Sequence, residues 1–110
     1  MSKTIKTNSG SKFITSINSE NLIGILCKEV GAKYFENPIS EIPTMSYDMT
    51  EDEVNDAVYK LTLLLDSRKY FRLFDKNKFY FQKDAPISVF EEFVENLIFD
   101  LKESRGYRCL

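Results

Sequence analysis

Histidine and tryptophan are both absent from the 110 residues. Losing histidine removes the only side chain that ordinarily titrates near neutral pH, and with it the commonest general base and metal ligand. Only two cysteines occur, Cys27 and Cys109, at a spacing that suggests neither a metal site nor a redox pair. No stretch reaches the roughly 18 consecutive apolar residues of a membrane span, and Met1-Ser2-Lys3-Thr4-Ile5-Lys6 lacks the apolar run of a secretory signal. A glycine-rich phosphate loop and a nucleophile elbow are missing too, and no histidine is present to activate Cys27 or a serine. Asp52 with Asp56 and Glu91 with Glu95 stand four residues apart and could share a divalent ion, yet solvated helices carry such pairs routinely. The expectation is a non-enzyme with no cofactor and no metal, away from membranes, in a reducing cytoplasmic setting.

Alanine occurs three times and arginine four times against eleven lysines, while Ile, Asn, Phe and Tyr are abundant. That bias is the one AT-rich coding sequences produce, and it suggests a low-GC bacterium, plasmid or virus, with a small phage-encoded protein as one natural reading.

What is present is aromatic mass and segregated charge. Nine Phe and six Tyr each supply about 150–250 Å² of surface if buried, enough for an independent core. The net charge of −2 conceals blocks. Residues 48–67 hold six acids and one Lys, residues 68–83 hold six bases and one Asp, and residues 84–104 again hold six acids and one Lys.

Periodicity orders the chain. Residues 1–12 are polar and basic and read as an N-terminal arm, although Lys3–Thr7 could pair with residues 12–17 across Asn8-Ser9-Gly10-Ser11. Leu22, Ile23, Leu26, Cys27 and Val30 predict a first helix over 19–31, starting at Ser19 and stopping at Gly31. Cys27 reads there as a small core residue. Asn37-Pro38 and Ile42-Pro43 break residues 36–48 into a loop, an unusually apolar one that covers the core or offers an interface. Thr50 and Glu53 form a capping box, with Met49 and Val54 as a hydrophobic staple. Val54, Val58, Leu61 and Leu65 then predict a helix over 50–66. The aromatic runs 70–74 and 79–82, around Asp75-Lys76-Asn77-Lys78, read as a β-hairpin. Ser88 with Glu91 and the stripe Phe90, Phe93, Val94, Leu97, Ile98, Leu101 predict a last helix over 88–104, followed by a tail, 105–110. The fold class expected is α+β: one domain over 13–104, with about three helices on a short antiparallel sheet in the order helix, helix, β-hairpin, helix. Helix followed by hairpin is also the order of the last helix and wing in winged-helix domains, a topological analogy that by itself licenses no function.

Two surfaces stand out. In the basic segment, Arg68, Lys69, Arg72, Lys76, Lys78 and Lys83 interleave with aromatics, a combination that suits phosphates and bases. If nucleic acid binds, the expectation is that this hairpin holds it, with the basic N-terminal arm as a second candidate, because the acidic helix 50–66 would repel a duplex. The acidic helices suit a basic protein partner instead. Phe99 lies opposite the stripe of its helix among Glu92, Glu95 and Glu103, and Tyr59 and Leu63 lie opposite the stripe of theirs, as contact residues would. The favoured expectation is a small regulatory or inhibitory protein that binds a protein partner through these acidic surfaces. The alternative is a nucleic-acid-binding module that uses the 68–83 hairpin.

Overall fold

The computed structural model describes residues 2–109, the side chains of Ser2 and Lys3 excepted. Strands β1 (Ser2–Thr7) and β2 (Lys12–Ser16) precede helix α1 (Ile17–Val30). Short strands β3 (Phe35–Glu36), β4 (Pro43–Thr44) and β5 (Asp48–Met49) follow, then helices α2 (Glu51–Ser67), α3 (Phe71–Lys76) and α4 (Ile87–Ser104), and strand β6 (Tyr107–Cys109). Four strands form an antiparallel sheet in the order β2-β1-β6-β5, and β3 and β4 make a separate two-stranded ribbon. This is an α+β domain, with three long helices and one short one.

The sheet joins chain segments far apart in sequence. Residues 1–12, expected as an arm, contribute strand β1, which pairs with β2 in the register Ile5↔Phe13 and Lys6↔Lys12. The tail contributes β6, held between β1 (Thr7↔Tyr107) and β5 (Met49↔Tyr107). Alternation in the strands follows burial: Ile5, Phe13, Thr15, Met49 and Tyr107 point into the core, as a sheet with one wet face requires. The expected boundary at residue 104 therefore does not mark the edge of the fold. Tyr107 carries the reason, an apolar ring placed to fill the space beneath the sheet, and it lies 6.0 Å from Phe13, ring centre to ring centre.

Helix α2 begins where its capping box predicts. The Glu53 amide donates to Thr50 Oγ1 at 3.2 Å, and the Thr50 amide donates to Glu53 Oε1 at 2.8 Å. Met49 and Val54 are both buried as the staple. Helix α1 starts two residues earlier than expected, because Ser16 rather than Ser19 is the N-cap; the Ser19 amide donates to Ser16 Oγ. Gly31 ends it in the left-handed conformation. Gly24, in mid-helix, is required by packing, since a Cβ there would meet the backbone of Thr44 at 2.3–2.4 Å. Helix α1 thus lies directly on β4 and holds the ribbon to the core. Helix α4 likewise starts one residue early, after Pro86. Its Ser88 and Glu91 form no capping box, because Pro86 is the N-cap and Ser88 already lies inside the helix; the Glu91 carboxylate accepts a hydrogen bond from the Tyr70 hydroxyl.

The expected hairpin over 70–82 is not formed. The chain runs as α3 and a 3₁₀ turn, Lys78–Tyr80, and no wing follows α2 among the described residues. Tyr70, Leu73, Phe74 and Asn77 are the buried positions, the i, i+3, i+4, i+7 spacing of a helix face. Short aromatic runs fit both periods, and here packing on α4 decides. Asn77 donates its side-chain amide to the Leu73 carbonyl at 2.8 Å and so stays buried at low cost. Phe90, fully buried, is the hub: Tyr70, Phe74 and Phe81 have ring centres 5.5, 5.9 and 6.2 Å from it.

Candidate functional site

Helices α2 and α4 pack against each other through Val54, Ala57 and Leu61 on one and Phe90, Val94, Leu97 and Leu101 on the other, all buried. Other flanks pack on α1 and β5 (α2) and on β2 and α3 (α4), and one face of each helix turns outward. On α2, Tyr59 is 64% exposed and Leu63 49% exposed; on α4, Phe99 is 61% exposed. Neither the apolar loop nor the tail covers these rings. The loop folds as the β3–β4 ribbon, which puts Met45 into the core and leaves Ile39, at its tip, 94% exposed. Beside it the rings of Phe35 and Tyr47 lie 4.9 Å apart.

Carboxylates surround the exposed rings. Asp52, Asp56 and Asp66 are exposed on α2, and Glu92, Glu95 and Glu103 on α4. Asp56 pairs with Lys60 at 2.9 Å along its own helix. Glu92, Glu95 and Glu103 have no ion pair among the described residues. Glu103 adjoins the β1–β2 turn, since Ser9 donates its hydroxyl to the Glu103 carbonyl.

The basic residues expected on a hairpin are instead distributed over the end of α2 (Arg68, Lys69), α3 (Arg72, Lys76), the 3₁₀ turn (Lys78) and the turn beyond it (Lys83). Arg68, Lys69, Arg72, Lys76, Lys78 and Lys83 are nevertheless all exposed. Lys78 pairs with Asp75 at 3.6 Å. The other five have no ion pair among the described residues. Phe71 and Phe79 stand exposed among them, while Tyr70 and Phe74 are buried in the core and Tyr80 packs partly against it. The acidic and basic blocks meet at Tyr70. Its hydroxyl pKa lies above the ordinary value, first because it donates to Glu91, then through burial and the charges of Glu91 and Glu95, against the opposing charge of Arg68.

Two features escaped the sequence. The first is a row of cations on the open face of the sheet. Lys12 stands opposite Lys6, and Lys6 opposite Arg108, all exposed. Like charges facing each other across strands are unfavourable, so Lys12, Lys6 and Arg108 make a local source of positive potential, which ends at Asp48, opposite Arg108 on β5. The second is a groove along one flank of α4, formed by two adjoining pockets. One, of about 210 Å³, is lined by Phe13, Ile14 and Thr15 of β2 and by Phe93, Asn96 and Asp100 of α4, among others. The other, of about 320 Å³, shares Phe93 and Asn96 and continues to Tyr80, Phe81, Val89 and Glu92. Burial raises the Asp100 pKa above its ordinary value. Both features depend on which strand lies beside which helix, and local periodicity holds no signal for that.

Cys27 is buried and its thiol pKa is pushed up to about 12 by loss of solvent. No cluster of three or more Cys, Asp or Glu suited to a metal ion occurs among the described residues, and no helix is long and apolar enough to cross a membrane. Compared with protein-family models, with curated proteins and with solved structures, the chain matches none.

Proposed function

We propose that the protein is a non-enzymatic regulator or inhibitor that docks onto a basic surface of a partner protein through the outer faces of α2 and α4. The observation that carries this reading is the exposure of Phe99, Tyr59 and Leu63 on helices whose inner faces are already filled. Large rings left out of a complete core, with a charged rim around them, are the composition of an interface centre and its border. Glu92, Glu95 and Glu103 supply a rim without internal counter-ions, which speeds encounter with a cationic partner and selects against acidic ones. The test is capture from lysate, comparing wild type with a variant that combines Phe99→Ala, Glu92→Lys and Glu95→Lys. The variant is expected to lose a defined subset of the proteins that wild type retains. Retention of every one of them overturns the assignment.

A second reading has its own supporting observation. The six cations of residues 68–83 remain exposed, with Phe71 and Phe79 beside them, so a nucleic-acid phosphate backbone could be held there without a wing. Binding through about six phosphates would fall by roughly a thousandfold between ~50 and ~200 mM salt. Replacing Arg72, Lys76 and Lys78 by Ala should flatten that slope, and a slope that does not change excludes the segment.

A further inference from the structure

Strand β2 is an edge strand. It pairs with β1 on one side only, and the sheet ends there. Its other edge opens into the groove beside α4. Ile14 points to the outer face of the sheet and Phe13 and Thr15 to the inner face, yet all three line the same pocket, as happens only at a strand's margin. The floor of the groove is apolar, with Ile14, Ile23, Leu22, Phe93, Phe81 and Val89. Among the described residues, the only charged side chains that line it are two carboxylates, Glu92 and Asp100. Neither has an ion pair among the described residues.

An unpaired strand edge beside an apolar trough is the arrangement that strand addition uses: main-chain hydrogen bonds give affinity, and alternate side chains entering the trough give selectivity. Spacing narrows the occupant. Eight residues of α4 separate Glu92 from Asp100, about 12 Å along the axis. Four residues of an extended chain span about 13 Å and return a side chain to the same side.

We propose that this groove receives an extended segment of a partner protein, added as a further strand to β2, with two basic residues four positions apart meeting Glu92 and Asp100. This deepens the protein-docking function proposed above and rests on it. Glu92 belongs to both surfaces, but Phe99 lies outside the groove and Asp100 outside the Phe99 rim, so Phe99→Ala and Asp100→Lys report on the two surfaces separately. Charge selects this occupant over a second copy of the chain, whose β2 offers Lys12 as its one cation in Lys12–Ser16.

The probe is a display library of random peptides panned against the full-length protein. The selected sequences are expected to carry Lys or Arg at i and i+4 with apolar residues between them. Their binding should weaken by about tenfold or more in Asp100→Lys and to a smaller degree in Asp100→Asn, and it should be unchanged in Phe99→Ala. Far-UV circular dichroism would establish that each variant keeps its helix content, and the neutral Asp100→Asn serves if the reversal does not fold. Amide chemical shifts of residues 13–15 should move on peptide addition. Selection of nothing, selection without paired cations, or binding that Asp100→Lys leaves intact would each overturn the proposal. Self-association through β2 that competes with peptide would overturn it too, in favour of a homodimer. Loss of binding in Phe99→Ala with Asp100→Lys unaffected would leave the Phe99 face standing and remove the groove.

Discussion

Replacing Gly24 by Ala sets two effects of opposite sign against each other. In an isolated helix the change is favourable by about 0.8–1.0 kcal/mol, because glycine gives up more backbone freedom. In this fold the added Cβ would stand 2.3–2.4 Å from the nitrogen, Cα and carbonyl carbon of Thr44. Those are backbone atoms of β4, so no rotamer change relieves the overlap. Either α1 or the β3–β4 ribbon must move by more than an ångström to reach ordinary contact distance. Inserting a methyl into a well-packed site typically costs about 1–3 kcal/mol, occasionally more, and a rigid neighbour places the cost at the upper end. The net expectation is a loss of about 2 kcal/mol, read as a lower midpoint in urea with little change in slope. Chemical shifts of Pro43 to Met45 should move most. A variant as stable as wild type, or more stable, would refute the close packing of α1 on β4, since only the helix-propensity gain would then be acting.

Other outcomes follow from single contacts. Thr50→Ala removes one half of the capping box and should cost about 1 kcal/mol in urea unfolding; no change would mean that the α2 N-terminus is held by other groups. Tyr107→Ala empties a buried site at the centre of the sheet and should cost about 3–5 kcal/mol, whereas a tail residue would cost next to nothing. The Glu53 carboxyl is held below its ordinary pKa, first by the Thr50 amide and, against a smaller desolvation effect, by Lys33. Its stabilising contribution is therefore complete above the unfolded-state pKa of about 4.3 and is lost as pH falls through the folded value. Glu53→Gln should weaken the fall in Tm over that acidic window, and an unchanged pH profile would contradict the assignment. A thiol reagent at pH ~8 should modify Cys27 only after denaturation, because burial keeps the thiol protonated; rapid native labelling of Cys27 would show that α1 is not packed as described.

The parts of the fold legible from sequence are those decided locally. The capping box Thr50–Glu53, the staple Met49–Val54 and the stripe of α4 each lie within a few residues, and each is found in place. The exposure of Phe99, Tyr59 and Leu63 followed from helix geometry as well, once the stripes were known. The segment 70–82 departs from the expected hairpin because three of its aromatics, Tyr70, Phe74 and Phe81, pack on Phe90, a residue nine or more positions downstream. A strand's period of two and a helix's of 3.6 are hard to separate over five residues, so the partner decides. Tyr107-Arg108-Cys109 looked like a tail because its two pairing strands begin at residues 2 and 48, and nothing within seven residues announces them. The groove beside α4 and the row Lys12, Lys6, Arg108 arise from the same long-range pairing.

The most direct test of the docking surface is affinity capture on immobilised protein at low and at moderate salt, wild type beside the variant that combines Phe99→Ala, Glu92→Lys and Glu95→Lys. A salt-sensitive set of basic proteins retained by wild type and lost by the variant, with helix content preserved, is the expected result. Identical capture by both proteins would contradict the claim that the outer faces of α2 and α4 hold the partner.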